Sequence, residues 1–180
     1  MGKKVLILSS SPRKGGNSET LAAAFAKGAQ EAGNQVETVY LREKQYGFCR
    51  GCFACLKLGH CVIKDDAVEI AAKMHDADVL VFVSPVYYYS VSGQLKTMLD
   101  RANPLYDGDY AFTKAYLLAT AAEDERELDG AVEQVGPARL AGALGRTGHV
   151  EHVVEHLEGE PDALAEAAER PRQVVPSAEQ

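Results

Sequence analysis

Four cysteines, Cys49, Cys52, Cys55 and Cys61, fall within thirteen residues of a 180-residue chain that has no others. Their spacing is C-x2-C-x2-C-x5-C. In a reducing compartment such a group is more often a metal or redox site than a disulfide framework. An iron-sulfur cube needs four converging thiolates, and a tight loop carrying Gly51 and Gly59 can bring several sulfurs together from adjacent turns. Four thiolates also satisfy tetrahedral zinc, although zinc sites usually pair two C-x2-C knuckles across a longer insert. Free thiols, oxidised under stress, are the third reading.

A second constellation lies near the start of the chain. Ser9-Ser10-Ser11-Pro12-Arg13-Lys14-Gly15-Gly16-Asn17-Ser18 follows an apolar run and precedes an alanine-rich helical pattern. A strand, a Ser/Gly-rich loop and a helix N-terminus make an anion-binding device, because loop and first-turn N–H groups point at one spot where the helix dipole adds positive potential. This stretch reads as a phosphate cradle. The plain alternative is a solvated turn in which Ser, Gly and Asn only shape the bend and cap the helix. Neither G-x-x-x-x-G-K-[ST] nor G-x-G-x-x-G is present, which argues against a P-loop nucleotidase and a dinucleotide-binding Rossmann site.

The elements that must position these groups alternate. Residues 3–9 predict a strand buried on both faces, with Val5, Leu6, Ile7 and Leu8 in a row. A helix follows from Ser18 to about Ala32, with Asn17 or Ser18 as N-cap and Gly33-Asn34 as its stop. Strands are predicted over 36–41, 79–83, 114–120 and 149–154. Helices are predicted from Asp65-Asp66 to about His75 with Val68, Ile70 or Ala71, and Met74 inward, and from Ser92 to Ala102 with Leu95, Met98 and Leu99 inward. Two further helices are read over 124–144 and 162–170, and a frayed tail from Pro171. Strands alternating with helices give one domain with a parallel sheet covered on both faces. Ligands then sit outside the C-terminal strand ends, where strand order reverses. Three polar loops, 9–18, 84–92 and 120–126, all follow strands, so one rule gathers them at one site.

The loop Ser10-Ser11-Pro12-Arg13-Lys14-Gly15-Gly16-Asn17-Ser18 resembles the G-S-P-R-x-x-G-N-T/S signature of the flavodoxin-fold NAD(P)H-dependent FMN reductases, differing at Ser10. Ser84-Pro85-Val86-Tyr87-Tyr88-Tyr89-Ser90-Val91-Ser92-Gly93-Gln94-Leu95-Lys96 is similar to that family's second flavin loop. The resemblance runs from residue 3 to about residue 122. It implies a flavodoxin-like, doubly wound, five-stranded parallel sheet of order 2-1-3-4-5 over residues 1–170. It implies FMN, with Ser11, Arg13, Asn17 and Ser18 at the ribityl phosphate and Ser10 among the cofactor-binding residues. Pro85, Val86, Tyr87 and Tyr88 would then line the isoalloxazine ring, with Thr120 in a third loop. The residues themselves allow a second reading of the tyrosines, as a surface or interface aromatic cluster. The cysteine spacing resembles the compact motif of iron-sulfur flavoproteins, which implies a 4Fe-4S cluster on Cys49, Cys52, Cys55 and Cys61.

The resemblance implies an oxidoreductase that takes hydride from NAD(P)H and passes electrons to a small molecule or protein. An electron carrier without a nicotinamide reaction and a cofactor-free flavodoxin-like binding module are the alternatives. The net charge of −7 argues against nucleic-acid or anionic-membrane partners. No apolar run reaches membrane-span length and no secretory leader is read, so the expectation is cytoplasmic. A homodimer or higher homo-oligomer is expected, since flavin in this family often sits near a dimer interface.

Overall fold

The computed structural model describes residues 2–106, 110–121 and, for the backbone, 149–156. The helices read over 124–144 and 162–170, and the tail from residue 171, lie outside the described residues. The elements in order are β1 (Lys4–Ser9), α1 (Asn17–Glu31), β2 (Gln35–Tyr40), a short helix α2 (Cys55–Leu58), α3 (Asp66–Asp76), β3 (Val79–Tyr87), β4 (Ser90–Val91), α4 (Gly93–Arg101), β5 (Lys114–Ala121) and β6 (His149–His156). The sheet runs β2-β1-β3-β5-β6, and each of these neighbouring pairs is parallel. The two-residue β4 pairs only with the end of β3, antiparallel. With that small ribbon set aside, the strand order is the expected 2-1-3-4-5, a flavodoxin-like α/β fold.

The pleat sorts the aliphatic runs onto two faces. Val5, Ile7, Val79, Val81, Val83 and Leu118 pack with Ala22, Leu21 and Phe25 of α1. Leu6, Leu8, Leu80, Phe82 and Leu117 pack on the opposite side with Ile70, Met74, Leu95 and Met98 of α3 and α4. β1 and β3 carry apolar residues at successive positions because both of their faces are covered. Each fully buried aliphatic side chain stabilises the fold by roughly 1.5–3 kcal/mol.

Three details differ from the sequence expectation. The N-cap of α1 is Gly16, without a side-chain cap, rather than Asn17 or Ser18. The Ser18 hydroxyl is instead engaged with Thr120. In α3 the inward positions are Ala67, Ile70, Ala71 and Met74, while Val68 is half-buried. β3 continues past Val83 to Tyr87, because Val86 and Tyr87 find partners in Val91 and Ser90.

The inner face of α4 also carries a charge. Arg101 is 1% exposed. Its Nη1 and Nη2 donate to Asp65 Oδ2 and Oδ1 at 2.7 and 2.8 Å, a two-pronged pair. The same nitrogens donate to the carbonyls of Gly47 at 2.8 Å and Ile63 at 3.2 Å. Asp65 in turn caps α3 by accepting from the Ala67 N–H at 3.1 Å, and accepts from the Gly47 N–H at 3.1 Å. Burial pushes the Asp65 carboxyl up, but the hydrogen bonds from Arg101, Gly47 and Ala67 and the charge of Arg101 outweigh it, so its pKa lies below the ordinary 3.8. Removing one partner of such a pair strands the other in the interior. Asp65→Asn is expected to lower the unfolding free energy at pH 7 by about 3 kcal/mol, measured by urea titration. A depressed carboxyl pKa contributes stability above its unfolded value of 3.8 and loses it as pH falls through the folded value. The gap between wild type and Asp65→Asn is therefore expected to narrow below pH 3.8. A gap that stays constant on acidification refutes the pairing.

Candidate functional site

The loops after β1 and β3 meet the end of β5 at the C-terminal edge of the sheet, and the third loop, read over 120–126, lies outside the described residues beyond Ala121. The Ser10 N–H and hydroxyl both donate to the Val83 carbonyl, at 2.9 and 3.0 Å. Ser92 Oγ donates to Ser10 Oγ at 2.8 Å, and the Ser92 N–H donates to Ser84 Oγ at 2.9 Å. Ser92 Oγ also caps α4 by accepting from the Leu95 N–H. Ser18 Oγ and Thr120 Oγ1 share a hydrogen bond at 2.6 Å, joining the first turn of α1 to the end of β5. Pro85 stands beside Thr120 in the β3–β5 register. Of the residues singled out in the sequence, Ser10, Ser11, Ser18, Pro85 and Thr120 are buried. Arg13, Asn17, Tyr87 and Tyr88 are exposed on the rim, and Val86 is half-buried.

The first loop fits an anion. α3 and α4 are capped by Asp65 and Ser92, whereas the 15-residue α1 has no side-chain cap. The loop turns on Gly15 at φ +69°, in the left-handed region that glycine occupies without strain. Ser11 Oγ donates to the Arg13 carbonyl at 2.9 Å, which fixes the bend before the helix. Glu19 accepts from the Gly15 N–H and is held by Arg42 Nη2 at 3.0 Å, so its charge near the loop is compensated. The Arg42 guanidinium also lies 4.6 Å from the centre of the Tyr40 ring. Beneath the loop, the fully buried Ser9 Oγ has no hydrogen-bond partner. Hydroxyls, first-turn N–H groups and two cations, Arg13 and Lys14, are a donor set suited to a phosphate ester.

The second loop is strained. Tyr88 and Tyr89 sit at φ +49° and +58° in the two-residue turn between β3 and β4. Hairpin turns with both central residues left-handed favour Asn and Gly, because a bulky Cβ there costs about 1–3 kcal/mol. Tyr88 is 97% exposed at the tip. A flat aromatic held out into solvent at that cost suits contact with a planar ligand.

The cysteine segment lies between β2 and α3. None of the four thiols is in a disulfide. Cys55 is buried at the start of α2 and accepts from Asn103 Nδ2 at 3.2 Å. Cys49 Sγ accepts from the Gly51 N–H at 3.4 Å. Cys61 is half-buried near Arg101, where Asp65 first, opposed by burial, and then Cys61 hold the guanidinium above its ordinary pKa. Cys52 is exposed. Among the described residues, no three of the His, Cys, Asp and Glu side chains stand close enough together to hold a metal ion. The donor set therefore matches a cluster in kind, with N–H donors on two sulfurs, while the sulfurs are not gathered at one point. Tyr46, just before the segment, donates to the Gln94 carbonyl at 3.0 Å, and burial pushes its pKa up to about 12.

Sequence reasoning read Asp65 and Ser92 as helix starts and Ser84 as part of the second loop motif but gave none of them a bonding role, and it passed over Arg101 and Asn103. Arg101 was the most legible of them, three residues after Met98 on the stripe of α4 read as inward. Ser92 was legible as the residue preceding a helix.

The family profile described as NADPH-dependent FMN reductase matches residues 3–163. The chain belongs to this family. It is 41% identical over 105 residues to an iron-sulfur flavoprotein of Methanocaldococcus jannaschii, covering 58% of this chain and 54% of that one. It is 39% identical over 94 residues to an iron-sulfur flavoprotein of Archaeoglobus fulgidus, covering 52% of this chain and 43% of that one. This FMN reductase family member thus spans about half the length of the curated relatives it matches. A solved NAD(P)H:quinone oxidoreductase from Methanothermobacter marburgensis superposes with a TM-score of 0.73 at 21% identity, covering 93% of this chain and 91% of that one, which shows the shared fold. Among the described residues, no helix is long and apolar enough to cross a membrane.

The turn geometry yields a prediction. Tyr88→Gly is expected to raise the unfolding free energy of the cofactor-free protein by about 1 kcal/mol, by relieving the left-handed backbone. The same change is expected to weaken flavin binding, measured by fluorescence quenching. A loss of stability in the cofactor-free variant refutes the strain account.

Proposed function

We propose that the protein is an FMN-dependent oxidoreductase that receives electrons from NAD(P)H and passes them to a small-molecule or protein acceptor. In this reading the four cysteines carry a 4Fe-4S cluster as a second electron carrier. The observation that carries the proposal is the stitching of two post-strand loops and the end of β5 around the α1 N-terminus, which lacks a side-chain cap. Membership of the FMN reductase family and similarity to iron-sulfur flavoproteins support it.

Bound FMN supplies the hydride and electron chemistry, so no acid, base or nucleophile of the chain is obligatory. Ser11, Arg13, Asn17 and Ser18 would hold the ribityl phosphate, the Ser11 and Ser18 hydroxyls turning to it from the Arg13 carbonyl and Thr120, with Arg13 adding a charge-assisted contact. Ser10 serves by position, since its hydroxyl is committed to Val83 and Ser92. Pro85, Val86, Tyr87 and Tyr88 would line the ring and exclude water from one edge, with Thr120 closing the floor beside Pro85. Cys49, Cys52, Cys55 and Cys61 would hold the cluster.

The iron-sulfur relatives favour a second reading, an electron carrier that does not react with nicotinamide. Anaerobic mixing with NADPH separates the two: prompt bleaching of the flavin bands is expected, and its absence selects the carrier. Anaerobically purified protein is expected to be coloured by both flavin and cluster, with iron and sulfide in the preparation. A protein that takes up no FMN from solution refutes the proposal. Arg13→Ala is expected to weaken FMN binding about tenfold, the loss of one charged hydrogen bond, by equilibrium titration.

A further inference from the structure

The end of α4 addresses the cysteine segment with nitrogen donors. Asn103 follows the helix directly and opens a 3-10 turn over Asn103–Leu105. Its backbone is anchored on both sides, by Ala102 N–H to Met98 and by Leu105 N–H to Ala102. The direction of its amide is therefore set by the helix, and Nδ2 reaches Cys55 Sγ at 3.2 Å. A deprotonated or metal-bound sulfur carries no proton, so only the donor end of the amide can face it. Two residues earlier, Arg101 holds the two bases of the cysteine segment together through the carbonyls of Gly47 and Ile63. Its Nε–H is buried without a partner, and the Cys61 thiol is close enough to influence the guanidinium.

We infer that Asn103, backed by Arg101, is a positioning residue for the sulfurs: it holds Cys55 Sγ in place with an N–H donor while Arg101 closes the segment beside Cys61. A neutral thiol is a poor acceptor, and a bond to it does little for folding. A negatively charged sulfur makes the same contact strong, and a donor to it favours the more electron-rich state of a cluster. The inference rests on the cysteines being cluster ligands, and its test is arranged to tell the two apart.

Asn103→Leu keeps the size and removes the donor, and Asn103→Asp keeps the shape and turns an acceptor toward sulfur. Asn103 is half-buried and outside the hydrophobic clusters, so both variants are expected to fold. Loss of an outer partner typically costs roughly 10–100-fold in metal affinity. Iron release to a chelator from the as-purified protein is therefore expected to be roughly 10–100-fold faster in Asn103→Leu, and faster still in Asn103→Asp. The cluster midpoint potential is expected to move lower in the same order, and the FMN content to stay at the wild-type value. A role in packing alone would not produce that order, because Asp is closer to Asn in shape than Leu is. Wild-type release rates and an unchanged potential in both variants overturn the inference. If wild type itself holds neither iron nor sulfide, the cluster reading fails and Asn103 is judged on the iron-free protein. Timed iodoacetamide labelling mapped by mass spectrometry is then expected to show several-fold slower modification of Cys55, relative to Cys49, in Asn103→Leu, because the thiolate loses its donor. Equal labelling ratios overturn the inference in that case too.

Discussion

A guanidinium taken out of water has to find its acceptors inside the fold, and Arg101 finds them at both ends of one loop. This constraint shapes half of the molecule. Gly47 and Ile63 come together because they answer the same side chain. Asp65 is fixed twice, as the cap of α3 and as the counter-ion of α4. The cysteines between them are therefore presented by a segment whose base is closed, although the segment has little regular structure. Burial of such a pair is costly unless every donor and acceptor is engaged, and here all but Nε are.

The opposite end of α4 meets a different requirement. Ser92 caps the helix and passes a hydrogen bond to Ser10, which passes one on to Val83. Each hydroxyl in this chain both gives and receives, so a polar seam runs through the interior with its groups satisfied. One nine-residue helix thus connects the proposed flavin-binding loops with the proposed cluster-binding segment. Its length, about 1.5 Å per residue, sets the spacing between them.

The architecture was legible in the sequence because its signals are periodic. Continuous aliphatic runs in β1 and β3 announced strands covered on both faces, and their alternation with helical stripes fixed the parallel order. The gathering of the loops after β1 and β3 at the end of β5 followed from topology alone. The stitching did not, because a serine that caps, bonds across the sheet or merely turns the chain is the same letter in each role. Arg101 was passed over because an arginine on a helix reads first as solvated, and its partner stands 36 residues away. The left-handed Tyr88 and Tyr89 contradict the ordinary turn preference, and conflict between local rule and observed backbone is common where binding is at stake.

The run Ser9-Ser10-Ser11 bears on how β1 finds its place. A slip of one residue would exchange Val5 and Ile7 for Leu6 and Leu8 across the sheet, aliphatic for aliphatic, and would still offer a hydroxyl near Val83. Side-chain character along β1 is thus a weak arbiter of alignment. Its neighbours decide instead: Asn34 Oδ1 takes the Lys3 N–H at 2.9 Å and Asp78 Oδ2 takes the Lys4 N–H at 2.7 Å. Two polar residues at the far edge of the sheet act as the fiducial marks from which the placement of the proposed phosphate loop is measured.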